Sequence, residues 1–309
     1  MRPGALDARS RASRRVALPS TEAIEPTLAL PYPLKHMSLT MGTAPFGHRP
    51  AGEFNFETPD RGALWFEDSP RRVRGILGGE TVVDSRRVKL LHEARHLPVW
   101  YFPREDVRME LLEPSELVTH CPFKGEASHF TVHAGDREEP DAAWTYPEPI
   151  AGAPPLAGYI AFHWRAMDTW LEEDEEVFVH PRDPYHRVDV LDTSRHVRVL
   201  LDGAVLADTT RARALFESGL PTRWYIPEED LADELLVASE HTTACPYKGT
   251  AAYRSAAVNG REEADVAWTY REPLREVSPI AGHWAFYQER DGVEVEVDGE
   301  VDSPRQVPL

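Results

Sequence analysis

"HCPFKGEASHF" occupies residues 120–130 and "ACPYKGTAAYR" residues 244–254. The only two cysteines of the chain, Cys121 and Cys245, fall in these segments, 124 residues apart. The same offset carries Lys124 to Lys248, Trp144 to Trp268, Trp100 to Trp224 and Gly79 to Gly203. A period this long is a whole domain copied in tandem rather than a solenoid unit.

Each copy opens on a glycine-centred pair of β-rich runs, "VRGILGGETVVDS" and "VRVLLDGAVLADT", which predict hairpins. Aromatic, proline-bounded runs follow ("LPVWYFPREDV", "LPTRWYIPEEDL"), then the cysteine segments, polar turns, and "AAWTYPEP" or "VAWTYREP". These are strand signatures. Helical spacing is confined to 85–94, 210–219 and 157–174. The expected fold is mainly β with a few short helices, a tandem duplication of a small domain. The second copy reads as truncated by about eight residues after its "WAF" segment, by comparison with the first. The expected division is an N-terminal extension over 1–66, a first domain over 67–190 and a second over 191–309.

A length of 309 residues suits two domain cores, and 41% hydrophobic residues can fill them. A net charge of -18 without a basic aromatic patch argues against nucleic acid and anionic membrane as partners. No apolar run approaches the roughly 20 residues that span a bilayer. The arginine-rich start is followed by proline-broken sequence and reads as no secretory signal. One thiol per copy fits a reducing, cytoplasmic setting better than a disulfide framework.

The segments "LLEPSELVTHCPFKGEASHF", "DAAWTYPEP", "LAGYIAFHW" and "VFVHPRDPYHRVDV" resemble the domain of unknown function DUF427. The resemblance spans both copies and is to the actinobacterial tandem form. It implies a small Mss4-like domain of folded antiparallel sheets. Zinc proteins of that wider group use paired CxxC knuckles, whereas each copy here has one cysteine and a lysine where a second thiol would stand, so neither a structural zinc nor another cofactor is expected. A nucleotidyltransferase label used for the family finds no glycine-rich phosphate loop or paired acidic metal motif here.

Cys121 with Lys124, and Cys245 with Lys248, sit three apart across a tight turn, where an ammonium would favour the thiolate. The alternative is a buried apolar cysteine and a lysine packed along an aromatic ring. Trp144, Tyr146 and Glu148, like Trp268, Tyr270 and Glu272, alternate so as to share one strand face. They describe an aromatic cleft with a glutamate as base or ion partner, or else a core face whose glutamate pairs with the turn lysine. Trp100, Tyr101, Trp224 and Tyr225 are the remaining aromatic candidates for the ligand-binding walls.

His120 precedes Cys121 but points to the other strand face and is Ala244 in the second copy, which argues against a Cys–His couple. His163, His180 and His186, with Asp183 and Asp189 near, read as surface-loop histidines held by turn carboxylates more than as a metal site. Two function classes stay open: a small-molecule enzyme without a bound cofactor, and a ligand- or peptide-binding module. Either suits an internal pseudo-dimer of the two copies and is compatible with a homo-oligomer.

Overall fold

The glycine-centred segments form the predicted hairpins. Gly78 and Gly79 both take positive φ, as do Asp202 and Gly203, the pairing that a two-residue turn matched to strand twist requires. The computed structural model describes residues 45–46, 50, 52–56, 63–94 and 96–302, all within the unit Leu34–Leu309. Most of the expected extension over 1–66 lies outside the described residues.

The first repeat contributes β1 (Leu64–Asp68), β2 (Val73–Leu77), β3 (Glu80–Ser85), β4 (Lys89–Glu93), β5 (Val99–Pro103), β6 (Leu112–Cys121), β7 (Gly125–Ala134), β8 (Arg137–Thr145), β9 (Tyr159–Phe162), β10 (Thr169–Glu172) and β11 (Glu175–Val177). The second contributes β12 (Val188–Asp192), β13 (Val197–Leu201), β14 (Ala204–Thr209), β15 (Arg213–Glu217), β16 (Arg223–Pro227), β17 (Leu236–Cys245), β18 (Gly249–Val258), β19 (Arg261–Tyr270), β20 (His283–Phe286), β21 (Val293–Val297) and β22 (Glu300–Val301). In each repeat a seven-stranded antiparallel sheet, β1-β4-β5-β9-β8-β7-β6 or β12-β15-β16-β20-β19-β18-β17, accompanies a four-stranded one, β11-β10-β2-β3 or β14-β13-β21-β22. The strand Val188–Asp192, which straddles the expected division at 190, pairs wholly with the second repeat.

Two expectations are corrected. The helical stretches at 85–94 and 210–219 are the strands β4 and β15, and 157–174 holds β9, a single 3-10 turn and β10. Leu90 packs into one core and Leu91 into another, on opposite faces of β4. A strand apolar on both faces reads as a continuous run, which short windows confuse with a helix. Among the described residues, helical structure is limited to six short 3-10 segments, and no helix is long and apolar enough to cross a membrane.

The second copy is also not shortened where expected, since the segments 163–168 and 287–292 between β9 and β10 and between β20 and β21 are equally long. The match was hidden by a compensating exchange. Trp170 lies opposite Gly75, whereas Val295 lies opposite Val199. A Cβ on Gly75 would come within 2.7 Å of the Trp170 ring, so the large residue in one strand demands the small one in its partner.

One face of each seven-stranded sheet packs on the four-stranded sheet. Trp100, Phe102, Phe130, Phe162 and Trp170 fill that interior in the first repeat. The opposite face carries a second cluster around Leu91, Tyr101, Ala127, Tyr146 and Leu156. Its counterpart holds Leu215, Tyr225, Cys245, Tyr253, Trp268 and Tyr270. The cysteine turns border these second clusters.

Candidate functional site

The hairpin between β6 and β7 pairs Cys121 with Gly125, and the Lys124 N–H donates to the Cys121 carbonyl. Gly125 has φ +107° and Gly249 +101°, backbone that side chains rarely adopt. A Cβ on either would also meet the carbonyl of Glu148 or Glu272 at 3.3 or 3.2 Å. The turn is strapped to the following segment by Ile150 N–H to Lys124 O, and by Leu274 N–H to Lys248 O, both 3.1 Å. Proline and glycine thus fix the loop, and the lysine side chain is sent inward.

Beneath the turn Lys124 pairs with Glu93, and Lys248 reaches both oxygens of Glu217 at 2.6 Å. Both lysines are buried, at 7% and 6% exposure. Lys124 Nζ also lies 5.8 Å from the centroid of the Tyr146 ring. Burial opposes the charge on Lys248, but Glu217 outweighs it and holds the ammonium well above the ordinary lysine range. Burial pushes the Cys245 thiol up, Lys248 opposes this and Glu217 reinforces it, so Cys245 is a thiol at neutral pH.

Aromatic side chains wall the pair. Trp144 Nε1–H donates to Tyr101 Oη at 3.4 Å, and Trp268 to Tyr225 at 3.2 Å, with the rings edge-on in both repeats. Burial raises the Tyr146 phenol far above its usual range, with Cys121 and Glu93 adding to the shift. His163 lies over Trp144 in the first repeat, where Tyr287 lies over Trp268 in the second. Thr119 bonds the buried His129 at 2.9 Å, where Thr243 bonds Tyr253 at 2.7 Å. Two imidazoles in the first repeat therefore stand where the second has two phenols.

A family model for a domain of unknown function, DUF427, matches residues 65–173 and again 189–303. The chain belongs to the DUF427 family. Each match takes in one cysteine turn with its lysine, glutamate and aromatic wall. A search of curated proteins found no match.

Of the residues singled out from sequence, Cys121, Lys124, Tyr101, Trp144 and Tyr146 come together in the first DUF427 unit, as do Cys245, Lys248, Tyr225, Trp268 and Tyr270 in the second. Four do not. Trp100 and Trp224 point to the other face of their strands, into the cores between sheets. Glu148 and Glu272 are exposed, because β8 ends at Thr145 and β19 at Tyr270, beyond which strand alternation no longer sets side-chain direction. The lysine's partner is instead Glu93 or Glu217. That pair repeats at the 124-residue offset as a lone carboxylate closing an apolar strand, a signal present in the sequence.

The connector from 178 to 187 corrects a further expectation, since His180 and His186 are buried rather than on a surface loop. His186 Nε2 is 2.9 Å from Glu217 Oε1, and its ring stacks on Tyr247. The Asp183 N–H donates to Tyr247 Oη at 2.8 Å, and the Tyr185 hydroxyl donates to Glu67 of the first unit at 2.6 Å. The connector thereby bridges the first unit's edge strand and the second unit's cysteine turn. Among the described residues no group of three or more His, Cys, Asp or Glu side chains is arranged to hold a metal.

Proposed function

We propose that the first DUF427 unit is a small-molecule enzyme site built on Cys121, Lys124, Tyr146 and Glu93, with Tyr101 and Trp144 as walls. The observation that carries this reading is the ion pair set into an aromatic cluster. A buried ion pair is a poor device for stability, because desolvation offsets most of its attraction. Its presence in both units suits a chemical use for the lysine, and in the first unit Cys121 is only partly buried while Cys245 is enclosed. Glu93 aims the Lys124 ammonium, so that it can donate to a carbonyl or acid oxygen. Cys121, beside Tyr146, is the group placed for covalent or proton-transfer work.

A second reading, a non-catalytic ligand-binding module, is favoured by Tyr270 and Cys245 of the second unit, both held protonated by burial. A metabolite screen by thermal shift on wild type, Cys121→Ala and Cys245→Ala separates the two. A ligand that stabilises wild type and is turned over by wild type and Cys245→Ala, but not by Cys121→Ala, supports the enzyme. Equal stabilisation of all three proteins with no turnover supports the binding module, and a ligand seated elsewhere overturns both.

A further inference from the structure

The connector 178–187, between β11 and β12, lies against the second unit's cysteine turn, and its contacts converge on Tyr247. The His186 ring stacks on Tyr247 with centroids 3.9 Å apart, the His180 ring meets it edge-on at 6.0 Å, and the Asp183 N–H donates to its hydroxyl. Beside Tyr247, Cys245, Lys248 and Glu217 are all buried.

The connector begins under strain. The His180 N–H donates to the Phe178 carbonyl at 2.8 Å, closing a three-residue turn around Val179, whose φ is +71°. A turn of that hand is the rare and strained form, and a β-branched residue is an outlier in such backbone. The other non-glycine residues at positive φ, among those described, are Asp, Glu or Asn. Phe178 and Val179 are themselves exposed, so the residues that follow must hold the turn.

His180 is the first of these and is buried. Its Nδ1 lies 2.7 Å from the Pro181 carbonyl, which only accepts, so Nδ1 carries the proton. Nε2 is then a bare acceptor, buried and, among the described residues, without a partner. A second proton there would aim an N–H at no acceptor. The titratable groups around the ring are the Tyr247 phenol and, on its own segment, His186 and Asp183. Glu217 and Lys248 stand behind His186, and Arg182 is turned to Glu172. Burial and His186 oppose a charge on His180, Asp183 and the Pro181 carbonyl favour it, and the balance lies with the neutral ring.

We propose that the connector is an acid-released lid over the second unit's cysteine turn, hinged at Val179 and latched by His180. The ring takes a proton more readily in the open segment, where it meets water, than in the closed one. Acid therefore favours opening, by up to about tenfold per pH unit from about 6.5 down to the closed ring's lower value. Opening lifts both imidazoles off Tyr247, relaxes Val179 and clears a path to Cys245. Such a lid works in the same way whether the first unit is an enzyme or a binding module.

The test is hydrogen exchange on the full chain, read by mass spectrometry over 178–187 at about pH 7.5 and about pH 5, on either side of the open ring's titration. Protection is expressed relative to the unstructured rate at each pH. The expected result is protection at least about tenfold lower in acid, with β5 of the first unit unchanged. His180→Gln and His180→Phe should each hold protection nearly constant, since neither side chain titrates, and either variant that keeps wild-type protection over β5 serves. In Cys121→Ala, the reaction of Cys245 with 4,4′-dithiodipyridine, relative to the urea-unfolded chain at the same pH, should quicken in acid by a similar factor.

Equal protection at both pH values overturns the lid, as does an acid loss that persists in the His180 variants. Loss over β5 as well would mean unfolding of the whole chain and reject a local hinge. If the segment opens while Cys245 reacts no faster, it covers no site and the proposal fails.

Discussion

Lys248 donates to both carboxylate oxygens of Glu217, 2.6 Å each, in an interior that leaves their side chains 7% and 4% accessible. Removing one partner strands the other charge. Glu217→Ala is therefore expected to lose about 3–5 kcal/mol of unfolding free energy in urea titration. The paired replacement Lys248→Met with Glu217→Leu should recover most of that loss. Recovery would identify the ion pair as dispensable for folding, whereas a double variant as unstable as the single would show that the pair organises the cluster.

The turn glycines are held by conformation and by close approach of a carbonyl. Gly125→Ala and Gly249→Ala should each cost about 1–3 kcal/mol, because both place a side chain at strongly positive φ beside Glu148 or Glu272. Gly79, also at positive φ but with open space around it, should cost less on the same substitution. Parallel thermal melts of the three variants check the order.

Burial pushes the His180 imidazole below its ordinary pKa, against a hydrogen bond to the Pro181 carbonyl that works the other way. A histidine kept neutral in the fold binds fewer protons than the same histidine in the unfolded chain. Stability from this group is thus full above the unfolded value of about 6.5 and falls as pH drops from there toward the folded value. His180→Phe should flatten that part of the stability–pH curve relative to wild type. Identical acid slopes in the two proteins would assign the dependence to other groups.

Tyr247 ties the connector down through its hydroxyl, which accepts from the Asp183 N–H. Tyr247→Phe leaves that N–H without its acceptor at a cost of about 1–3 kcal/mol. Faster tryptic cleavage after Arg182 or Arg187 is the expected signature. An unchanged digestion pattern would place the connector's stability in its other contacts, those of His186 with Glu217 and of Tyr185 with Glu67.

Much of this architecture was legible because one offset aligned glycine turns, aromatics and cysteines at once. Secondary structure failed where the signal was local. Leu90 and Leu91 face different interiors, and a strand buried on both sides leaves no alternation to read. The cysteine, lysine, tyrosine and tryptophan of each site were visible as a recurring motif. Their glutamate was not, because it comes from β4 or β15, far along the chain from the turn it serves. The glutamate chosen instead lies past the end of β8 or β19, where the rule of alternation has already lapsed. His186 was out of reach for another reason: no repeat pattern announces that a connector will dock its ring into the following unit.

Tandem copies of one fold carry a hazard that single domains avoid, since a strand of one copy can pair with the sheet of the other while the chain is still assembling. Trp170 disfavours one such exchange. Were β13 to take the place of β2 beside β10, Val199 would bring a side chain to the position where Gly75 leaves room for the indole, and a Cβ there comes within 2.7 Å of the ring. The exchange of glycine and tryptophan for two valines thus makes β13 a poor substitute for β2 beside β10.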